Sequence, residues 1–85
     1  MPTLSFFYGI AIQMFWRDHP PPHFHVAYAE HEAQVALDGT VLHGSLPPRI
    51  MAMVREWASE NQDALFAAWE ACSNGRAPRR IRPLA

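Results

Sequence analysis

Read for polarity alone, the 85 residues of this chain change period once. From Phe6 to Trp16 the even positions Phe6, Tyr8, Ile10, Ile12, Met14 and Trp16 are apolar, while Ser5, Phe7, Gly9, Ala11, Gln13, Phe15 and Arg17 form a mixed opposite set. Alternation of this kind sends one set to each face of a strand, so the pattern predicts a long, half-buried first strand. Gly9 in its middle marks a bulge or a close backbone approach. Pro20, Pro21 and Pro22 then interrupt any ladder, because proline has no N–H and holds φ near the extended value; they predict a stiff connector. Alternation resumes with Phe24, Val26 and Tyr28 on one side and His23, His25 and Ala27 on the other. A short turn near Glu30 and His31 leads to a strand carrying Ala33, Val35 and Leu37 inward, and Asp38-Gly39 is a tight-turn signal before a short strand from Thr40 to His43.

Beyond Leu46 the spacing is helical, since Ile50, Met53, Val54, Trp57 and Ala58 fall at i, i+3, i+4, i+7 and i+8. Pro47 and Pro48 suit a first helical turn, and Ser45 is the expected N-cap. A second helix is expected to open near Ser59 to Asn61, where Ser59 and Gln62 have capping-box spacing, and to run through Leu65, Phe66, Trp69 and Cys72 to the stop at Asn74-Gly75. The expectation is an α+β fold: a small antiparallel sheet of three to four strands over residues 4 to 43, followed by two helices, 47 to 60 and 62 to 74, packed on one face. Trp57 and Trp69 should pack against the first strand around Ile10, Ile12 and Met14. Residues 76 to 85 form a loop or a terminal edge strand, anchored by Ile81 and Leu84.

Length and composition narrow this only a little. A chain of this size makes a single domain, residues 1 to 85, and with 49% hydrophobic residues it holds enough apolar mass for a core without disulfide or metal staples. The single cysteine, Cys72, excludes an internal disulfide, and the absence of a charged-then-apolar leader gives the expectation of a cytoplasmic protein. No apolar run approaches the roughly 20 residues of a membrane span. The net charge of −1 hides an asymmetry: residues 1 to 75 hold three Arg against eight acidic residues, a charge of −5, while residues 76 to 85 hold four Arg and no acid. That basic tail suits nucleic acid, an acidic partner or plain solvation.

The candidate chemistry lies in "DHPPPHFHV", residues 18 to 26. Residues i and i+2 of a strand project from one face, about 6 to 7 Å apart at Cα, so His23 and His25 can share a metal ion or a substrate phosphate. An extended triple proline holds His19 on the order of 12 Å from His23, so it joins them only if the chain turns. Three readings follow. The imidazoles are structural and hydrogen-bonded to neighbouring backbone. Alternatively His23 and His25 bind a metal such as Zn²⁺. In the third reading no cofactor is needed and the pair does acid–base work, as in RNA cleavage, with His19, Arg17 or Arg76, Arg79, Arg80 and Arg82 binding the substrate. His31 and His43 read as turn and strand-end residues.

The opening Met-Pro-Thr, the His-x-x-Pro-His-Phe-His core around His19, Pro22, His23, Phe24 and His25, the Leu-Pro-x-Arg approach to the first helix and the positions of Trp57 and Trp69 resemble the bacterial domain-of-unknown-function 4160 family over essentially the whole chain. Pro20 makes the connector one proline longer than the commoner family form. The family brings no established activity. Its genes often neighbour another small domain, which implies a two-gene module of toxin–antitoxin type, with a small partner protein from the neighbouring gene and RNA as a further expected partner. A looser likeness of arrangement, a histidine strand before a hairpin and a helix, links the chain to HicA-type mRNA interferases, although those begin with a helix and this chain begins with a strand.

Overall fold

The computed structural model describes residues 1–85. Five strands precede two helices: β1 (Thr3–Phe7), β2 (Ile10–Gln13), β3 (His23–Tyr28), β4 (His31–Ala36), β5 (Val41–Gly44), α1 (Pro48–Glu60) and α2 (Gln62–Ser73). The strands form one antiparallel meander in the order β1-β2-β3-β4-β5. The α+β expectation holds, with five strands in place of three to four.

The added strand comes from the segment expected to be one long strand. Tyr8 and Gly9 both take positive φ, 51° and 79°, and fold the chain back so that Phe7 pairs Ile10. Two successive left-handed residues make the tight turn whose twist matches a hairpin. The even-position stripe is therefore cut. Ile10, Ile12 and Met14 are fully buried as expected, whereas Phe6, Tyr8 and Trp16 are exposed. The register of β1 shifts between Thr3 and Ser5, and this bulge buries both Leu4 and Ser5. The next hairpin turns at Ala29 and Glu30, one residue earlier than expected, so His31 opens β4. At the third turn Asp38 Oδ1 accepts from the Thr40 N–H at 2.9 Å.

Helix α1 starts with Pro47 at its cap and Pro48 in its first turn, and no side chain caps it. Ser45 does not serve, because its own N–H donates to the Glu32 carbonyl and ties it to the sheet. The capping box is also absent: Ser59 donates back to the Glu56 carbonyl, and Gln62 donates to the carbonyls of Leu37 and Ala58. Gln62 thus links the helical corner to the end of β4.

The core lies against one face of the sheet and is filled by both helices and the tail. Trp57 is fully buried, its ring centroid 5.7 Å from those of Phe7 and Phe24, and its indole N–H donates to the Arg82 carbonyl at 2.9 Å. Trp69 is only half-buried, and its ring stands beside His23. The tail is a strap: Ile81 donates to the Leu4 carbonyl at 2.7 Å, and Ile81 and Leu84 are buried. It closes over the β1 edge and the Trp57 indole while its arginine side chains stay exposed.

Trp57→Ala should cost about 3 to 5 kcal/mol through the cavity it opens, lowering the melting temperature by about 12 °C or more in a domain of this size. The loss of the indole donor to the tail adds to the effect, and thermal denaturation measures it. Cys72 provides a second test. Burial pushes its thiol up, which keeps it protonated and unreactive. Alkylation by iodoacetamide at about pH 8 should be slow in the native protein and rapid in denaturant. Fast native labelling would show that the C-terminal end of α2 opens.

Candidate functional site

The site is built by eight consecutive residues, 18 to 25, on the connector and the start of β3. Along β3 the pleat buries Phe24 and Val26 and turns His23 and His25 to the other side. The connector bends back instead of running straight, with a cis peptide between Pro20 and Pro21. Arg17, at φ 53°, reverses the chain ahead of it, and its N–H is held by the Cys72 carbonyl at 3.0 Å. That bend brings Asp18 over the two imidazoles. One carboxylate oxygen, Asp18 Oδ2, lies 3.0 Å from Nε2 of His23 and 3.0 Å from Nε2 of His25.

The two contacts differ in kind. His25 Nε2 makes a well-aligned hydrogen bond to Asp18, and its ring stacks on Phe15 at 3.9 Å between centroids and 14° between planes. His23 is 4% exposed: it shares a face with His25, as the i to i+2 spacing implies, but is covered there. The imidazole lies beside Trp69 of α2, with ring centroids 5.4 Å apart, at the start of β3. His23 Nδ1 lies 2.7 Å from the Pro21 carbonyl. A carbonyl only accepts, so Nδ1 carries the proton and donates. In the neutral ring Nε2 then presents a lone pair to the Asp18 carboxylate, and its alignment is not that of a hydrogen bond: it is a buried polar atom with no hydrogen-bond partner. With the ring neutral these are two acceptors 3.0 Å apart, which repel; a second proton on the imidazole, or a metal ion between the two groups, relieves the repulsion.

The carboxyl of Asp18 is held below its ordinary 3.8. Partial burial works against ionisation and is outweighed by the His25 hydrogen bond, the His19 N–H on Oδ1, and the charges of His23 and His25 when protonated. The carboxylate is thus the stable form throughout the neutral range. With two ring nitrogens it makes a donor set whose ligand atoms all lie within 4.8 Å of one another. A tetrahedral site with bonds of about 2.0 to 2.1 Å spaces its ligand atoms at about 3.3 Å; the two contacts of Asp18 Oδ2, 3.0 Å each, already fall within that, so any contraction has to bring the two ring nitrogens together, by movement of the half-buried His25 ring. The Pro21 carbonyl on the far nitrogen of His23 is the outer-shell partner that fixes tautomer and ring orientation in metal-ligating histidines.

Of the residues singled out from the sequence, His23 and His25 come together. His19 stays out: its side chain is exposed and only its backbone N–H reaches Asp18. The turn it needed is present, and Asp18 takes the third place. Arg17 adjoins the site in sequence, but its guanidinium lies over Gly75 at the end of α2. Arg76, Arg79 and Arg80 border a separate groove between α2 and the tail, and Arg82 faces solvent. Sequence reasoning missed Asp18 itself, the Phe15 stack, and a polar row on the outer face of the sheet. In that row Gln13 pairs His25, His25 pairs Gln34, and Gln34 pairs His43, one residue from each of four neighbouring strands.

Fold and cluster together define a small α+β domain that carries an aspartate on a proline-rich connector and two histidines on the strand that follows it. Residues 9–70, most of the chain, match the family model described as Domain of unknown function (DUF4160), and the chain belongs to that family. No curated protein and no solved structure matches it.

The lowered Asp18 pKa has a direction that can be measured. The stability it contributes is present above its unfolded value of 3.8 and is lost as the pH falls through the lower native value. With EDTA present, wild type should lose more stability than Asp18→Asn between about pH 5 and pH 2.5, and urea denaturation at a series of pH values measures the difference. A constant gap across that window would show that Asp18 ionises in the native state as it does in the unfolded chain.

Proposed function

We propose that this chain is a divalent-metal-binding domain, with Asp18 Oδ, His23 Nε2 and His25 Nε2 as the protein ligands and Zn²⁺ or a neighbouring first-row ion as cofactor. The observation that carries the reading is His23 Nε2, a buried ring nitrogen 3.0 Å from a carboxylate oxygen and lacking a hydrogen-bond partner. An ion between them converts that repulsion into two bonds. Two imidazoles and a carboxylate suit zinc and the redox-active divalent ions alike. Three protein ligands leave coordination positions for water or a substrate anion, and a bound ion supplies Lewis acidity there.

The setting we propose is the two-gene, toxin–antitoxin-like module in the cytoplasm that the family resemblance implies, with a small partner protein from the neighbouring gene. RNA binding remains part of that proposal, with the exposed Arg76, Arg79, Arg80 and Arg82 as its contacts. The metal-free acid–base alternative needs both imidazoles free to exchange protons, and it is less well supported: His23 Nδ1 is committed to Pro21 and the ring is buried.

Isothermal titration with Zn²⁺ should give one ion per chain. Asp18→Asn and His25→Ala should each weaken it at least tenfold, while His19→Ala should leave it unchanged. At a free ion concentration a hundredfold above Kd the ion should stabilise the fold by about 2.7 kcal/mol, an increment that EDTA removes. Absence of stoichiometric uptake of Zn²⁺, Mn²⁺, Co²⁺ or Fe²⁺ would falsify the reading.

A further inference from the structure

The polar row on the outer face of the sheet borders a cavity of about 310 Å³, a size that holds a nucleotide. His25 belongs to both features. Its Nε2 faces Asp18, and its ring forms a wall of the cavity together with Gln13, Phe15, Gln34 and His43. Neighbouring strands lie about 4.8 Å apart, so the row from Gln13 to His43 is about 14 Å long, and Gln34 and His43 stand one and two strands from His25. Of the three proposed metal ligands His25 alone lines the cavity, so a ligand that reaches its ring is the one that can meet the ion.

The lining decides what kind of ligand that is. It offers two carboxamides, two imidazoles and the carboxylate of Glu32, and it contains no Lys or Arg. A strand of nucleic acid needs cations spread along its phosphates, and this face offers only the amino group of Met1. The ion would be the one divalent charge, placed at one end, with the Met1 amino group as the other positive charge in the lining, which suits a ligand with a single anionic group and an otherwise neutral, hydrogen-bonding body. A carboxamide presents a donor and an acceptor side by side, the complement of the adenine N6 and N7 edge. Phe15 has one face on His25 and remains 36% exposed, so part of its ring is free for a planar base. Glu32 pairs with Ala27, two residues along β3 from His25, about 6 to 7 Å away, where a carboxylate can accept from ribose hydroxyls.

Resting on the metal-binding reading, we infer that this cavity takes a free purine nucleoside monophosphate, its phosphate toward the ion held by Asp18, His23 and His25 and its base between Phe15, Gln34 and His43. The phosphate occupies the coordination positions the protein leaves open, and the row fixes the base two strands away.

The test uses the full chain loaded with Zn²⁺ and titrated with adenosine 5′-monophosphate. One nucleotide should bind per chain, with ribose 5-phosphate and adenosine each at least tenfold weaker, because each lacks one of the two anchoring ends. Gln34→Leu and His43→Ala lie on the outer face away from the core. Each should weaken the nucleotide at least tenfold while the chain still takes up one Zn²⁺ and keeps its melting temperature. If the loaded protein ignores the nucleotide, binds ribose 5-phosphate equally well, or is unaffected by both substitutions, this inference is overturned and the metal site stands. Displacement of the bound monophosphate by a lower concentration of a short single-stranded oligonucleotide would also overturn it, whereas oligonucleotide bound without displacement lies elsewhere, as at the tail arginines. If no Zn²⁺ is taken up at all, the underlying reading fails first, and the titration without metal shows that separately.

Discussion

The pleat of β3 is the constraint on which the rest of this structure depends. A strand with a one-residue alternation must send Phe24 and Val26 one way and His23 and His25 the other. Because β3 is central, both directions are occupied. Phe24 meets the Trp57 ring at 84° in the core, while the imidazoles are covered by Asp18 on the connector, by Phe15 and by Trp69. A slip of one residue in the pairing with β2 or β4 would exchange these two sets, so the core enforces the geometry of the site. Burial of Phe24 is what holds two ring nitrogens on one carboxylate oxygen.

Much of this was legible from residue types, and the failures are local and physical. The change of period near Leu46 located both helices to within a residue or two, since Ile50, Val54, Trp57 and Ala58 are buried on the face their spacing implies. The Tyr8-Gly9 turn was hidden because tyrosine is a strand former and rarely takes positive φ. The apolar run on either side continued the alternation, so a hairpin read as one strand. The capping expectations failed for a different reason: Ser45 and Gln62 are engaged by the sheet, a tertiary demand that a local motif does not register.

For the site, the i to i+2 spacing of His23 and His25 was enough to pair them. The third member was hidden by the prolines. Read as an extended rod, the triple proline carries residues before it away from the strand, and both His19 and Asp18 recede with it. The chain turns there instead, and Asp18 returns across five and seven residues to the two rings. The signal that could have found it is the acidic residue at the start of a short connector followed by two histidines of one strand parity, a set of ligand types inside eight residues.

The connector is also where the two halves of the molecule meet, and this gives the site its rigidity. Arg17 is held by the Cys72 carbonyl at the end of α2, and that carbonyl also accepts from Gly75 as the helix closes. His23 lies between Pro21, which fixes its nitrogen, and Trp69, which fixes its ring, so strand, connector and helix each restrain one coordinate of the same imidazole. A ligand set restrained in this way would lose little side-chain freedom on taking the proposed ion, and the half-buried His25 ring is the chief part left to adjust. A rigid imidazole beside a rotatable carboxylate also explains how a buried ring nitrogen can lack a hydrogen-bond partner without collapse of the surroundings: the packing that would have to relax to satisfy His23 Nε2 is the packing of Trp69 and the core residues Leu65, Ala68 and Cys72 around it in α2. The local electrostatic cost is therefore carried by the fold as a whole, as expected where a site is shaped for a ligand and not for its own stability.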